Sequence, residues 1–132
     1  MILLDTHALI WVLEAAPTLG RRAALSANRA LSADELWTSA ITFWEMAFLL
    51  RLGRLRMTLT ADQFRAKVLR LGVQEAPVTG DVAVAAAHLS AALKDPADAF
   101  IAATAVVHHA RLMTADRRLL GAKGIETVDA SK

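Results

Sequence analysis

The chain has no cysteine and no tyrosine in its 132 residues, only three prolines and six glycines, and just 5% aromatics. Without cysteine there is no disulfide scaffold and no thiolate metal site, and a reducing, cytoplasmic setting is the expectation. No apolar run reaches the roughly 18–20 residues a membrane span needs. The N-terminus enters a strand-like segment directly rather than a leader peptide, so no membrane association is expected. The phosphate loops GxxxxGK(S/T) and GxGxxG are missing, as is an HExxH zinc helix among His7, His88, His108 and His109. Ser39 has no evident His/Asp set, which argues against a serine hydrolase. Excess charge is scarce too: 15 Lys+Arg stand against 13 Asp+Glu. The sequence pI of about 9.5 overstates this balance. With neither Cys nor Tyr, little titrates between neutral pH and the lysines, so two surplus charges suffice to raise it.

What is abundant is apolar. Hydrophobic residues make up 55% of the chain, with a mean hydropathy of +0.38, which excludes disorder. The length suits one domain, residues 1–132. Met1–Leu4 reads as a buried strand leading into a helix capped by Thr6, and Ala8–Leu13 continues that helix. Arg21–Ala30 is a second helix, and Ser32–Glu35 has the form of a capping box. Leu36–Ser39 reads as a strand, Ile41–Leu52 as a helix stopped by Gly53, and the segment after Thr60 as a helix ended by Gly72. Val73–Val78 is a third strand, followed by the Ala-rich helix Val82–Leu93. A helix with Pro96 at its first position runs to Ala110. Arg111–Thr114, Asp116–Leu120 and Ile125–Val128 close the chain as strand, short helix and strand. Strands alternating with helices predict an α/β fold, a central, mostly parallel sheet between two helical layers.

In such sheets ligands sit beyond the carboxyl ends of the strands. Asp5 stands at one such end and Asp116 just past another. Asp98 falls in the first turn of a helix. Each has a plain structural explanation as a helix cap or first-turn residue, and Asp95 in Asp95-Pro96-Ala97-Asp98 is explained as a cap. Glu45 is different. Its helix, Ile41-Thr-Phe-Trp-Glu-Met-Ala-Phe-Leu-Leu50, is apolar almost all round and is expected to be buried. A carboxylate there requires a partner: an Arg, a helix cap, or a cation shared with the strand-end aspartates. A shared site of carboxylates alone suits Mg2+ or Mn2+ better than zinc. Trp11, Trp37 and Trp44 read as core residues. His7, two residues after Asp5, reads as a packing residue or one standing behind the acidic group, with pointing at the site as the alternative. Arg51, Arg54 and Arg56, followed by Arg65, Lys67 and Arg70, are either a solvated face or a rim for an RNA backbone.

Four segments in order carry a family resemblance: Leu3-Leu-Asp-Thr-His-Ala-Leu-Ile-Trp11, Ser39-Ala-Ile-Thr-Phe-Trp-Glu45, Asp95-Pro-Ala-Asp-Ala-Phe-Ile-Ala-Ala-Thr-Ala105 and Leu112-Met-Thr-Ala-Asp116. Together they span nearly the whole chain, and in this order it resembles the PIN-domain ribonucleases, specifically the VapC toxins of type II toxin–antitoxin pairs. The resemblance implies a three-layer α/β/α sandwich and a Mg2+- or Mn2+-dependent endoribonuclease. Its catalytic and metal-binding carboxylates would be Asp5, Glu45, Asp98 and Asp116. Thr6 and Thr114 would orient water or phosphate beside them. Metal-activated water would attack the phosphodiester and leave 5′-phosphate and 3′-hydroxyl ends. Implied partners are an RNA substrate (tRNA or rRNA), a VapB-type antitoxin, operator DNA reached only through that antitoxin, and a second copy in a homodimer. Trp11, Phe43, Phe48 and Leu52 are candidates for the apolar surface that meets the antitoxin. Two positions depart from the pattern: Ala99 stands where the family often has Arg, and Leu93 where it often has His.

Two other classes compete. A phosphatase of the haloacid-dehalogenase type also begins strand–Asp, but needs a second Asp where His7 stands. A PIN-type scaffold that binds RNA without cutting it normally lacks one or more of the carboxylates. With the four carboxylates grouped, the remaining residues carry a basic surplus of six instead of two. An acidic pocket in a basic shell is the charge pattern that suits a nuclease.

Overall fold

The computed structural model describes all 132 residues. Five short strands, β1 (Ile2–Leu4), β2 (Leu36–Ser39), β3 (Gln74–Ala76), β4 (Arg111–Thr114) and β5 (Thr127–Asp129), form one sheet in the order β3-β2-β1-β4-β5. Every pairing is parallel, with Leu3 opposite Trp37 on one side and Leu112 on the other. Parallel strands need crossovers, and seven helices provide them. α1 (Thr6–Glu14) and α2 (Arg21–Ser32) link β1 to β2. α3 (Ile41–Arg51) and α4 (Ala61–Leu71) link β2 to β3. α5 (Gly80–Leu89) and α6 (Pro96–Val107) link β3 to β4, and α7 (Arg117–Leu120) precedes β5.

Successive strand residues point to opposite faces, and the core divides accordingly. Ile2, Leu4, Leu36 and Met113 pack with Leu9, Met46, Phe64 and Val68 from α1, α3 and α4. Leu3 and Leu112 pack with Val82, Ile101, Ala102 and Leu119 from α5, α6 and α7. The result is the expected three-layer α/β/α sandwich. β1, at the centre of the sheet, is buried throughout, which is why it reads as a continuous apolar run rather than an alternating one.

Helix ends follow their local chemistry. Thr60 and Gln63 make a reciprocal capping box at α4, and Gly72 ends that helix at φ 106°, where a side chain would be strained. Replacing Thr60 with Ala is expected to cost about 1 kcal/mol of stability, read as a lower denaturation midpoint at unchanged slope.

Several expectations are corrected. Asp5, not Thr6, caps α1, its side chain accepting from the Ala8 N–H. Ser32–Glu35 starts no helix: α2 ends at Ser32, and Asp34 turns the chain into β2 at φ 57°. α6 stops at Val107, before the left-handed His109. β3 and α5 are shorter than read, and β5 lies two residues later at its start. α3 is not buried all round: Trp44 is 53% exposed and stacks on Phe48, itself 41% exposed.

Candidate active site

The strand order reverses direction at β1: the chain moves outward to β2 and β3, then returns to β4 on the other side. Such a switch point opens a crevice beyond the strand ends, because the helices that follow the two strands diverge to opposite faces. A cleft of about 350 Å³ occupies this position. Asp5, Thr6, His7 and Trp11 line it from the end of β1 and from α1, Glu45 from α3, Asp95 and Asp98 from the start of α6, and Ala115, Asp116 and Arg118 from the end of β4 and from α7.

Asp5 is fixed on both oxygens. Oδ1 accepts from the Ala8 N–H at 2.8 Å, and Oδ2 accepts from the Thr114 hydroxyl. Thr114 Oγ1 in turn accepts from the Asp116 N–H at 3.0 Å. A short relay thus ties the end of β1 to the end of β4 and sets the spacing of two carboxylates from different parts of the chain. Asp5 is only 7% exposed. Burial pushes its carboxyl above the usual range, against the Thr114 and Ala8 hydrogen bonds that favour the ionised form.

Glu45, Asp95 and Asp98 meet across the cleft, with one carboxylate oxygen from each lying within 4.8 Å of the others. Burial raises the Glu45 carboxyl, with the charge of Asp95 adding to it and the Thr6 hydroxyl working against it. The Thr6 hydroxyl also lies 3.3 Å from that of buried Thr42 on α3. Asp98 is pushed up to about 7, first by burial and then by the charges of Asp95, Asp116, Glu45 and Asp5. Repulsion of this kind among carboxylates on four elements stabilises nothing by itself, and functional sites are where such arrangements collect.

All four carboxylates expected from sequence line this one cleft, and so does Thr6; Thr114 sits directly behind Asp5. Two contributors were missed. Asp95 caps α6, its Oδ1 accepting from the Ala97 and Asp98 N–H groups, yet it also faces Glu45 and Asp98. The signal was present: residues three apart on a first helical turn share a face. Arg118 reaches toward Asp116 and Asp98 from the four-residue α7, and no spacing rule points to it. His7 is exposed on the cleft wall rather than packed. Arg51, Arg54 and Arg56 are exposed and do not line the cleft; Arg51 lies over the Phe48 ring. Ala99 and Leu93, the two departures from the family pattern, are buried in the core beneath α6.

The donor set fits a small hard cation. Carboxylate oxygens about 2.1 Å from Mg2+ stand roughly 3–4 Å apart, and the Glu45, Asp95 and Asp98 oxygens need little adjustment to reach that. No thiolate or imidazole pair competes with this oxygen chemistry.

A parallel α/β/α sandwich with carboxylates gathered at the β1/β4 switch point defines an α/β protein with an acidic centre. The PIN-domain family model matches residues 2–124, and the chain belongs to that family. It is 35% identical over 120 residues to ribonuclease VapC22 of Mycobacterium tuberculosis, covering 89% of this chain and 88% of the relative. Among solved structures, a toxin–antitoxin complex from Klebsiella pneumoniae superposes with a TM-score of 0.63 at 25% identity, covering 98% of both chains. FitAB bound to a DNA fragment superposes with a TM-score of 0.68 at 25% identity, covering all of this chain and 96% of the other.

Proposed function

We propose that this chain is a divalent-metal-dependent endoribonuclease, the VapC-type toxin of a toxin–antitoxin pair. The observation that carries the reading is the cleft itself: Asp5, Glu45, Asp98 and Asp116 converge from four elements, with Asp95 beside them, at the point where the sheet topology opens a crevice. The likeness to ribonuclease VapC22 supplies the substrate class.

Asp5, Glu45, Asp98 and Asp116 would hold Mg2+ or Mn2+, with Asp95 within reach. A bound ion of this kind supplies a nucleophilic water at neutral pH and neutralises charge on the phosphodiester. The protein's part is to position that chemistry. Thr114 fixes the direction of Asp5, and Thr6 braces α1 against α3, where Glu45 stands. In the overall reaction the water oxygen bonds to phosphorus as the bond to the 3′ oxygen breaks, leaving 5′-phosphate and 3′-hydroxyl ends. Arg51, Arg54 and Arg56, outside the cleft, would follow the RNA backbone away from the point of cleavage. Acting on tRNA or rRNA, the protein would work in the cytoplasm. No helix is long and apolar enough to cross a membrane. A toxin–antitoxin complex and a DNA-bound complex among the structural neighbours support a VapB-type antitoxin as partner, with operator DNA met through it; residues 1–132 acting as one domain in a homodimer belong to the same proposal.

The test is cleavage of a tRNA and rRNA panel with Mg2+ or Mn2+, against EDTA. Cleavage that persists in EDTA overturns the metal reading. No cleavage, together with calorimetry that detects no metal binding, leaves a scaffold.

One variant probes the positioning. Thr114→Val keeps the shape of β4 but removes the hydroxyl shared by Asp5 and Asp116. Partners that orient metal ligands are worth about 10–100-fold, and a Mn2+ affinity lower by roughly that factor is expected, with Thr114→Ser near wild type. Equal affinity for Val and Thr would exclude the relay.

A further inference from the structure

The cleft is lined by five carboxylates but by only one Lys or Arg, Arg118. Its backbone N–H is pinned to Asp116 Oδ1 at 2.8 Å, so its main chain is tied to the site. Its side chain is not: 64% exposed, it places Nη2 3.4 Å from Asp116 Oδ2 and 3.9 Å from Asp98 Oδ2. Both separations exceed the 2.7–2.9 Å of a well-made charge-assisted bond. An exposed pair of this geometry is weakly held. A single nitrogen makes both contacts, leaving most of the guanidinium's five donors unused.

We propose that Arg118 is the cleft's built-in counter-ion while the carboxylates lack a divalent ion, and becomes the side chain that grips the RNA phosphate once they hold one. This rests on the ribonuclease reading above. Asp98 and Asp116 are both expected cation ligands, so a divalent ion and Arg118 compete for the same two carboxylates. When the ion prevails, the attraction that holds Arg118 is neutralised and the guanidinium is released at the mouth of the cleft. A phosphodiester offers two non-bridging oxygens with one shared negative charge, which a planar fork of N–H donors matches in pairs. An ammonium is a point charge and matches it less well. Arg118 is a positioning residue for substrate, not a metal ligand.

Competition predicts opposite signs in two measurements. Arg117→Gln is the control: it removes the same charge from the adjacent residue, whose influence falls on Asp129 outside the cleft. Relative to that control, Arg118→Gln should tighten Mn2+ binding to the RNA-free protein roughly two- to fivefold in calorimetry, the size of a weak exposed pair. The same variant should lower kcat/KM on an RNA oligonucleotide about tenfold, through KM more than kcat. The dependence of log(kcat/KM) on log salt should be shallower by about one, as for one lost phosphate contact. Arg118→Lys should restore wild-type Mn2+ affinity but only part of kcat/KM.

If Arg118→Gln matches Arg117→Gln in both measurements, or moves only one of them, the proposal is overturned. Wild-type protein that fails to cleave RNA with Mn2+ would sink the ribonuclease reading itself, and the proposal with it. Wild-type cleavage alongside an unaffected Arg118→Gln would sink the proposal alone.

Discussion

Asp98→Asn is expected to lower RNA cleavage at least a hundredfold while leaving the fold intact. Asp98 is the carboxylate on which the cleft converges. It shares a close-set oxygen triad with Glu45 and Asp95, faces Arg118, and feels the charges of Asp95, Asp116, Glu45 and Asp5. The substitution keeps size and hydrogen bonding but deletes the charge a cation needs. Removing one preorganised electrostatic contact from a reaction centre typically costs about 10²–10³ in rate, and a metal ligand is at least such a contact. The fold should survive, because the cap of α6 is Asp95 and not Asp98. Asp95→Asn makes the informative comparison. Asn caps a helix as well as Asp does, so this change isolates the charge of Asp95 from its cap. If that charge helps hold the ion, Mn2+ affinity falls about tenfold without loss of melting temperature, on the scale of a supporting ligand. Asp98→Asn protein with wild-type cleavage on the tRNA and rRNA panel would remove Asp98 from the site.

How much of this was legible in the sequence depended on range. The alternation of strands and helices, the helix start at Thr60 and the Gly72 stop are written within a few neighbouring residues, and the structure has them at those places. The grouping of Asp5, Glu45, Asp98 and Asp116 spans more than a hundred residues. It was legible only through four ordered segments and one physical anomaly, a carboxylate on an apolar helix. The anomaly itself was partly misread: α3 is half-exposed, with Trp44 and Phe48 outside, because an apolar sequence cannot say which of its faces the sheet will cover. Asp95 was assigned a cap because one explanation sufficed; its other oxygen was left without a role. Arg118 depends on how a single turn after β4 folds back over Asp116, which no periodicity encodes. Strand ends differ by one or two residues for a similar reason: in a parallel sheet, length is set by what the neighbouring strand pairs with, not by local pattern.

Metal-free protein is expected to lose stability as the pH rises from about 5 to 8. In the folded chain Asp98 holds its proton up to about 7, whereas an unstructured aspartate releases it near 3.8. A carboxyl raised by folding contributes stability in full below the unfolded value, and that contribution is lost as the pH climbs through the folded one. Asp5 and Glu45 are also raised, so their contributions have the same sign. Asp129 is lowered by its bonds to Ser131, and its opposite contribution disappears only in acid, below this window. Asp98 is partly open to solvent, so screening reduces its share to on the order of 1–2 kcal/mol, which corresponds to roughly 4–10 °C in a chain of this size. Thermal melts in EDTA at pH 5.5 and pH 8 should differ by about that amount, with the acid sample the more stable. Asp98→Asn should reduce the difference and melt higher than wild type at pH 8 in EDTA, because it removes a charge the fold disfavours. Mn2+ should raise the wild-type melting temperature at pH 8 far more than at pH 5.5, since the ion binds the ionised carboxylates and competes with their protons. Equal melting temperatures at the two pH values in EDTA would show that the carboxylates do not repel one another as their positions require. A variant that destroys cleavage yet strengthens the metal-free fold would place the cost of this cleft with its function rather than with the stability of the sandwich around it.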